Sequence, residues 1–240
     1  MEHLSTALEL PHDVWLAIAI KVATNSIEDL CSFCMTCCVA RDVGDEETVL
    51  RMVAIPPPYE MNWWWIRDPV GRRFFERCFE IGHPELLFRE ALRELYIRRN
   101  HAIGWEMLQN AASNGFDAAQ YALSMELLIR REDSEAKKKG LELFRMLESG
   151  GLLPACFSNC FAVLAISWPN EVQMPEKGDD HTVCDSTRCL TRGHMGLLYD
   201  YRRRAAERGS VHGVRGADHI PCIWCRADYE VERYVDIPRI

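Results

Sequence analysis

Residues 26–40 read "SIEDLCSFCMTCCVA", with four cysteines between Cys31 and Cys38. Such a cluster could be a metal cage, a redox centre or the apolar side of a helix. Ser26 followed three residues later by Asp29 has the form of a helix start, a side-chain cap with an acid in the first turn. A helix from about Ile27 to Arg41 would set Cys31, Cys34 and Cys38 at i, i+3 and i+7, on one face. Unpaired cysteine packs as a small hydrophobe. Tight zinc motifs usually carry Cys-x-x-Cys on a turn, with a second pair elsewhere. No turn residue interrupts this stretch, so helix core is the expectation, with Gly44 as a C-cap.

Working outward, "LPHDVWLAIAIKVA" (10–23) places Pro11 and Asp13 in a first helical turn. Val14, Ile18 and Val22 recur at i, i+4 and i+8 along one face. On the other side, "DEETVLRMVA" (45–54) gives a third short helix with acids in its first turn.

This run of residues resembles an F-box, over about residues 9–53, and in wording it is most similar to the plant F-box proteins. The resemblance rests on Leu10 and Pro11, on Val14, Ile18 and Val22, on "SIEDL" opening the second helix, and on Cys37. It implies a three-helix module that docks on the SKP-type linker subunit of a cullin-based ubiquitin ligase. Leu10, Pro11, Val14, Ile18, Val22, Leu30 and Cys37 would then form the helical seam and the linker-binding face. The physics agrees. Three helices in about 45 residues cannot bury their own apolar surface and need a partner or a neighbouring domain. The bland alternative is that they pack on the rest of this chain.

After residue 55 the character changes. "IPPPYEMNWWWIRDPVG" reads as a Pro/Trp-rich linker over 56–73, because three prolines cannot continue a helix. Trp63, Trp64 and Trp65 are costly to leave in water and are expected to wedge between the modules. Residues 74–166 read as helix after helix. Phe74, Phe75, Cys78 and Phe79 make one stripe, and Leu87, Ala91, Leu92 and Leu95 another. "AASNGFDAAQYALSMELL" (111–128) and "KKKGLELFRMLESGG" (137–151) alternate small and large residues, which suits closely packed helix pairs. These stretches resemble SEL-type, tetratricopeptide-like repeats, and "RRAAERGSVHG" (203–213) echoes them. Such repeats build a concave peptide-binding surface; a helical spacer is the plainer reading. Residues 167–183 are a polar loop broken by two prolines.

The last segment, 184–240, holds a second constellation. Cys184 and Cys189 precede Cys222 and Cys225 by about thirty residues, and two such pairs could give four thiolates to a tetrahedral structural zinc. His181, His194 or His219 could substitute for one of them. Four anchored thiolates would pin a tail with little core of its own. The spacing is not that of a standard finger, and "CIWCRADYEVERYVDI" (222–237) reads equally as an amphipathic segment with cysteines as core. Some plant F-box proteins with helical repeats carry a C-terminal MYND zinc module, whose dense Cys-x-x-Cys series this tail lacks.

Composition narrows the function. Hydrophobic residues at 48% and charged residues at 27% describe an ordinary globular chain, and a net charge of −8 disfavours nucleic acid as partner. "VWLAIAIKVA" is about half a membrane span, and the acid at Glu2 does not suit a secretory leader. The expectation is cytosol or nucleus, where thiols stay reduced. No phosphate-binding loop, nucleophile elbow or His-Glu-x-x-His is present.

The fold class expected is mainly α: an F-box (1–55), an antiparallel helical-repeat domain and a Cys/His-containing tail. The resemblance implies a non-catalytic adaptor that binds the linker subunit, and through it a cullin, and recruits an unknown protein substrate. It requires no cofactor beyond the zinc that the tail could hold. The alternative is a zinc-stabilised helical scaffold not engaged with a ligase. A thiol-dependent enzyme is a third class, and nothing singles out its residues.

Overall fold

A computed structural model describes residues 10–58, 69–129, 133–166, 171–175, 182–207, 217 and 219–237. The tryptophan triplet Trp63–Trp65, His181, and the part of the 203–213 echo beyond residue 207 lie outside them. Among the described residues there are twelve α-helices and no strand, so the protein is mainly α. The chain divides into two compact units, Met1–Leu87 and Phe88–Ile240.

In the first unit, α1 (His12–Ala23) packs on α2 (Ile27–Cys34), α3 (Cys38–Gly44) and α4 (Glu47–Leu50). Pro11 stands at the N-cap of α1, as its fixed φ allows. Helix α1 buries Trp15, Ala19 and Ala23. That face is offset by one residue from the Val14–Ile18–Val22 stripe, and Val14 and Ile18 remain 37% and 38% exposed. Both sides of α1 are apolar, and periodicity alone does not say which one meets the core.

The expected helix from Ile27 to Arg41 is two helices. The Thr36 hydroxyl donates to Phe33 O (2.7 Å) and helps close α2. Cys37 is extended (φ −161°, ψ 170°), and its Sγ accepts the Ala40 N–H at 3.4 Å, so a thiol caps α3. The reorientation dissolves the stripe: Cys31 and Cys38 are exposed, and Cys34 and Cys37 are half-buried. The cluster is therefore not the buried side of one helix. Gly44 is the last residue of α3, with Asp45 at the cap. Gly44 is needed for space, since a Cβ there would lie 2.3 Å from Cys34 Sγ.

Helix α5 (Pro69–Glu80) starts inside the expected linker. Arg77 donates to the Asp45 carboxylate (2.8 Å) and to Asp45 O (2.6 Å), a cation at the C-terminus of α3 where the helix dipole favours it. His83, buried after α5, bonds Val53 O at 2.9 Å through Nε2.

Helix α6 (Pro84–Tyr96) carries the division between the units. In the second unit, α7 (His101–Ser113) and α8 (Asp117–Ile129) are joined through Gly115, whose φ of 81° suits glycine. Helix α8 packs on α7, α9 (Ser134–Ser149), α10 (Leu153–Phe161) and α12 (Ile223–Val235). It buries residues on nearly every side, including Ala118, Ala119, Tyr121 and Leu128. The small residues let the axes approach: a Cβ on Gly140 of α9 would meet Leu127 Cβ at 3.0 Å and Ser124 O at 3.1 Å. A π-helical turn (Ala162–Ile166) follows α10, and α11 (Met195–Glu207) packs on α12.

Helix α12 also reaches four other helices of this unit. Tyr234 meets Tyr96 of α6 and Tyr121 of α8 edge-on, with ring centroids 6.3 and 5.8 Å apart. Arg226 forms a bidentate pair with Glu148 of α9 (2.6 and 2.9 Å), and the Arg233 guanidinium lies 3.6 Å over the Phe157 ring of α10. Among the described residues no single helix is long and apolar enough to cross a membrane.

Candidate metal centre

Cys184 and Cys189 lie on the irregular arm before α11. Cys222 is at the N-cap position of α12, and Cys225 is in its first turn. Their four sulfur atoms all lie within 4.8 Å of one another. Two edges of the cluster measure 3.8 Å (Cys184–Cys222) and 3.5 Å (Cys189–Cys225). A tetrahedral zinc with Zn–S bonds of about 2.3 Å needs sulfur–sulfur edges of about 3.8 Å. The donor set therefore fits a tetrahedral, thiophilic ion, and the cluster could hold a metal.

The surroundings orient the donors. The Ser186 and Thr191 backbone N–H groups, each two residues beyond a cysteine, favour the thiolate forms of Cys184 and Cys189. The Thr191 hydroxyl lies 3.3 Å from Cys189 Sγ. These bonds pull the Cys189 thiol down to about 6, whereas burial pushes Cys225 and Cys184 up. Further down α12, Asp228, 2% exposed, accepts from Val183 N and from the Thr182 hydroxyl, both at 3.3 Å. Arg226 donates to Ile220 O (2.7 Å) and Pro221 O (3.2 Å), bracing the turn that carries Cys222.

Of the histidine substitutes, His194 and His219 are not part of this cluster. His194 Nδ1 lies 2.8 Å from Arg192 O, and His219 lies 3.2 Å from Arg202 Nη2. Thr191, Arg226 and Asp228 were not singled out by the sequence. Only Asp228 left a signal, an acid among apolar helical positions three residues after Cys225.

The residues of the F-box resemblance separate by exposure. Leu10, Pro11, Val14 and Ile18 are exposed, Val22 and Cys37 are half-buried, and Leu30 is buried. Asp13, Val14, Ala17, Ile18, Lys21 and Val22 line a shallow depression along α1.

Residues 56–165 match the family model of plant tetratrico peptide repeats. The match supports a helical repeat protein of plant type, over much of the stretch expected at 74–166. No curated protein and no solved structure matches the chain.

Proposed function

We propose that this chain is a substrate-recruiting adaptor of an SKP-cullin-F-box ubiquitin ligase, working in the cytosol or nucleus without catalysis of its own. One observation carries the reading. Helix α1 already buries Trp15, Ala19 and Ala23, yet it presents Val14 and Ile18 outward as a second apolar face, with exposed Leu10 just before its start. Exposed apolar surface of this kind marks a protein-binding site, and these are the positions that the F-box resemblance assigns to the linker subunit. Leu30 belongs to the core beneath that face, and Cys37 caps the helix beside it. The helical repeats and the tail then recruit the substrate, as repeat proteins generally serve interaction.

A second reading is favoured by the four clustered thiols: a zinc-stabilised helical scaffold with no ligase partner. Co-expression with a plant SKP-type linker separates the two. Wild type should co-purify with it, and a Val14→Asp, Ile18→Asp variant should stay folded and lose it, because both side chains point away from the core. Folded wild type that ignores the linker overturns the adaptor reading and leaves the scaffold.

A further inference from the structure

We propose that Cys184, Cys189, Cys222 and Cys225 hold one zinc ion in a closed site, and that this ion clasps the arm 182–207 to the start of α12. The inference does not depend on the ligase reading.

The donor set decides the ion class. Four sulfurs, with no carboxylate or imidazole in the cluster among the described residues, select a soft, tetrahedral cation over magnesium or calcium. All four positions of a tetrahedron are supplied by the protein, so water and substrate are excluded and the role is structural. Binding follows Zn²⁺ plus four thiols giving a tetrathiolate complex of charge −2 and four protons. The Thr191 hydroxyl already stands 3.3 Å from Cys189 Sγ, one of the sulfurs that carry this charge. Cys222 and Cys225 stand at the N-terminal end of α12, where the helix dipole also favours negative charge.

The packing shows what depends on the ion. Helix α12 is held without it, by Tyr234, Glu230 and Arg226 against α6, α8 and α9. The arm and α11 are tied to α12 rather than to the other helices: the Tyr199 hydroxyl donates to Asp236 (3.0 Å), and Val183 N and the Thr182 hydroxyl donate to Asp228 (both 3.3 Å). Their core is a small cluster that includes Met195, Tyr199 and Tyr229, and Cys184 and Cys225 are themselves members of it. So few buried side chains do not offset the entropy of ordering the segment. A metal cross-link between residues 184–189 and 222–225 supplies what the core lacks.

The test uses the full chain. Metal analysis of the purified protein should find one zinc per chain, retained in a Cys31→Ser, Cys38→Ser control and lost in Cys184→Ser or Cys222→Ser. In case those variants fail to fold, the second measurement is on wild type. A strong chelator is added under thiol-protecting conditions and amide exchange is followed. Protection should fall at least tenfold over 195–207, hold in α8 and in the second half of α12, and return with added zinc. Iron in place of zinc overturns the identity of the ion. Metal-free protein, disulfides joining these cysteines, or unchanged exchange after metal removal overturns the clasp.

Discussion

The hydroxyls of Tyr96 and Tyr234 lie 2.6 Å apart, 138 positions apart in the chain, and the Tyr96 hydroxyl also lies 2.5 Å from Glu126 Oε1. A phenol has one proton. Tyr96 gives its proton to the carboxylate, so Tyr234 is the donor to Tyr96. The two phenylalanine variants should therefore differ. Tyr234→Phe removes one donor and should cost about 1 kcal/mol. Tyr96→Phe strands the buried Tyr234 hydroxyl and takes a bond from Glu126, and should cost about 2–3 kcal/mol. Denaturant unfolding of both variants checks the order; equal losses would mean that the chain of bonds does not form as described.

The same tyrosines set an alkaline limit. Burial pushes Tyr96, Tyr121 and Tyr234 well above the ordinary value, and neighbouring carboxylates add to the shift at Tyr96 and Tyr121. Above the unfolded value of about 10, the unfolded chain loses protons that the folded chain keeps. It then binds fewer protons than the native state, so unfolding free energy falls as pH rises. Tyrosinate absorbance from these residues should appear together with the loss of helical circular dichroism. Absorbance that rises fully while helicity persists contradicts their burial.

Gly104 of α7 lies close against α6. A Cβ there would lie 2.7 Å from Leu95 Cγ, 3.0 Å from Leu95 N and 3.1 Å from Ala91 O. Alanine should gain about 1 kcal/mol of helix propensity at this position. Backbone atoms cannot move aside, however, and overpacking costs about 1–3 kcal/mol. Gly104→Ala should be net destabilising, seen as a lowered melting temperature; a raised one would show that the two helices can part freely.

Cys37 offers a sharper contrast. Its sulfur caps α3, and a hydroxyl makes a better cap. Cys37→Ser should equal or exceed wild type in stability, whereas Cys37→Ala should lose about 1 kcal/mol. The melting temperatures of the three proteins decide it.

That capping thiol also explains where the sequence misleads. The i, i+3, i+7 cysteines do fit a helical stripe, and cysteine is not among the usual capping residues, so nothing in the pattern marked the break at Met35–Cys37. The start of α2 was legible because Ser26 is a common cap; its Oγ accepts the Asp29 N–H at 3.1 Å. On α1, apolar residues recur on two adjacent faces, and only the three-dimensional packing shows that Trp15, Ala19 and Ala23 turn inward. The four thiols were legible as a candidate zinc site from their two pairs, but their actual approach was not, because that of Cys184 to Cys222 depends on contacts such as Asp228 to Val183, which no local spacing encodes. The all-helical character and the small-large alternation around Ala118 and Gly140 carried through, because periodicity and close packing are local properties.

Helix α12 has a further consequence, during synthesis. Its partners Tyr96, Tyr121, Glu148 and Phe157 leave the ribosome long before it does, with separations of 138 for Tyr96–Tyr234 and 109 for Tyr121–Glu230. The first compact unit ends at Leu87 and can assemble while translation continues. Helices α6 and α8 must wait with Tyr96 and Tyr121 uncovered until α12 has been made. The nascent second unit is therefore the part of this protein that most needs a chaperone.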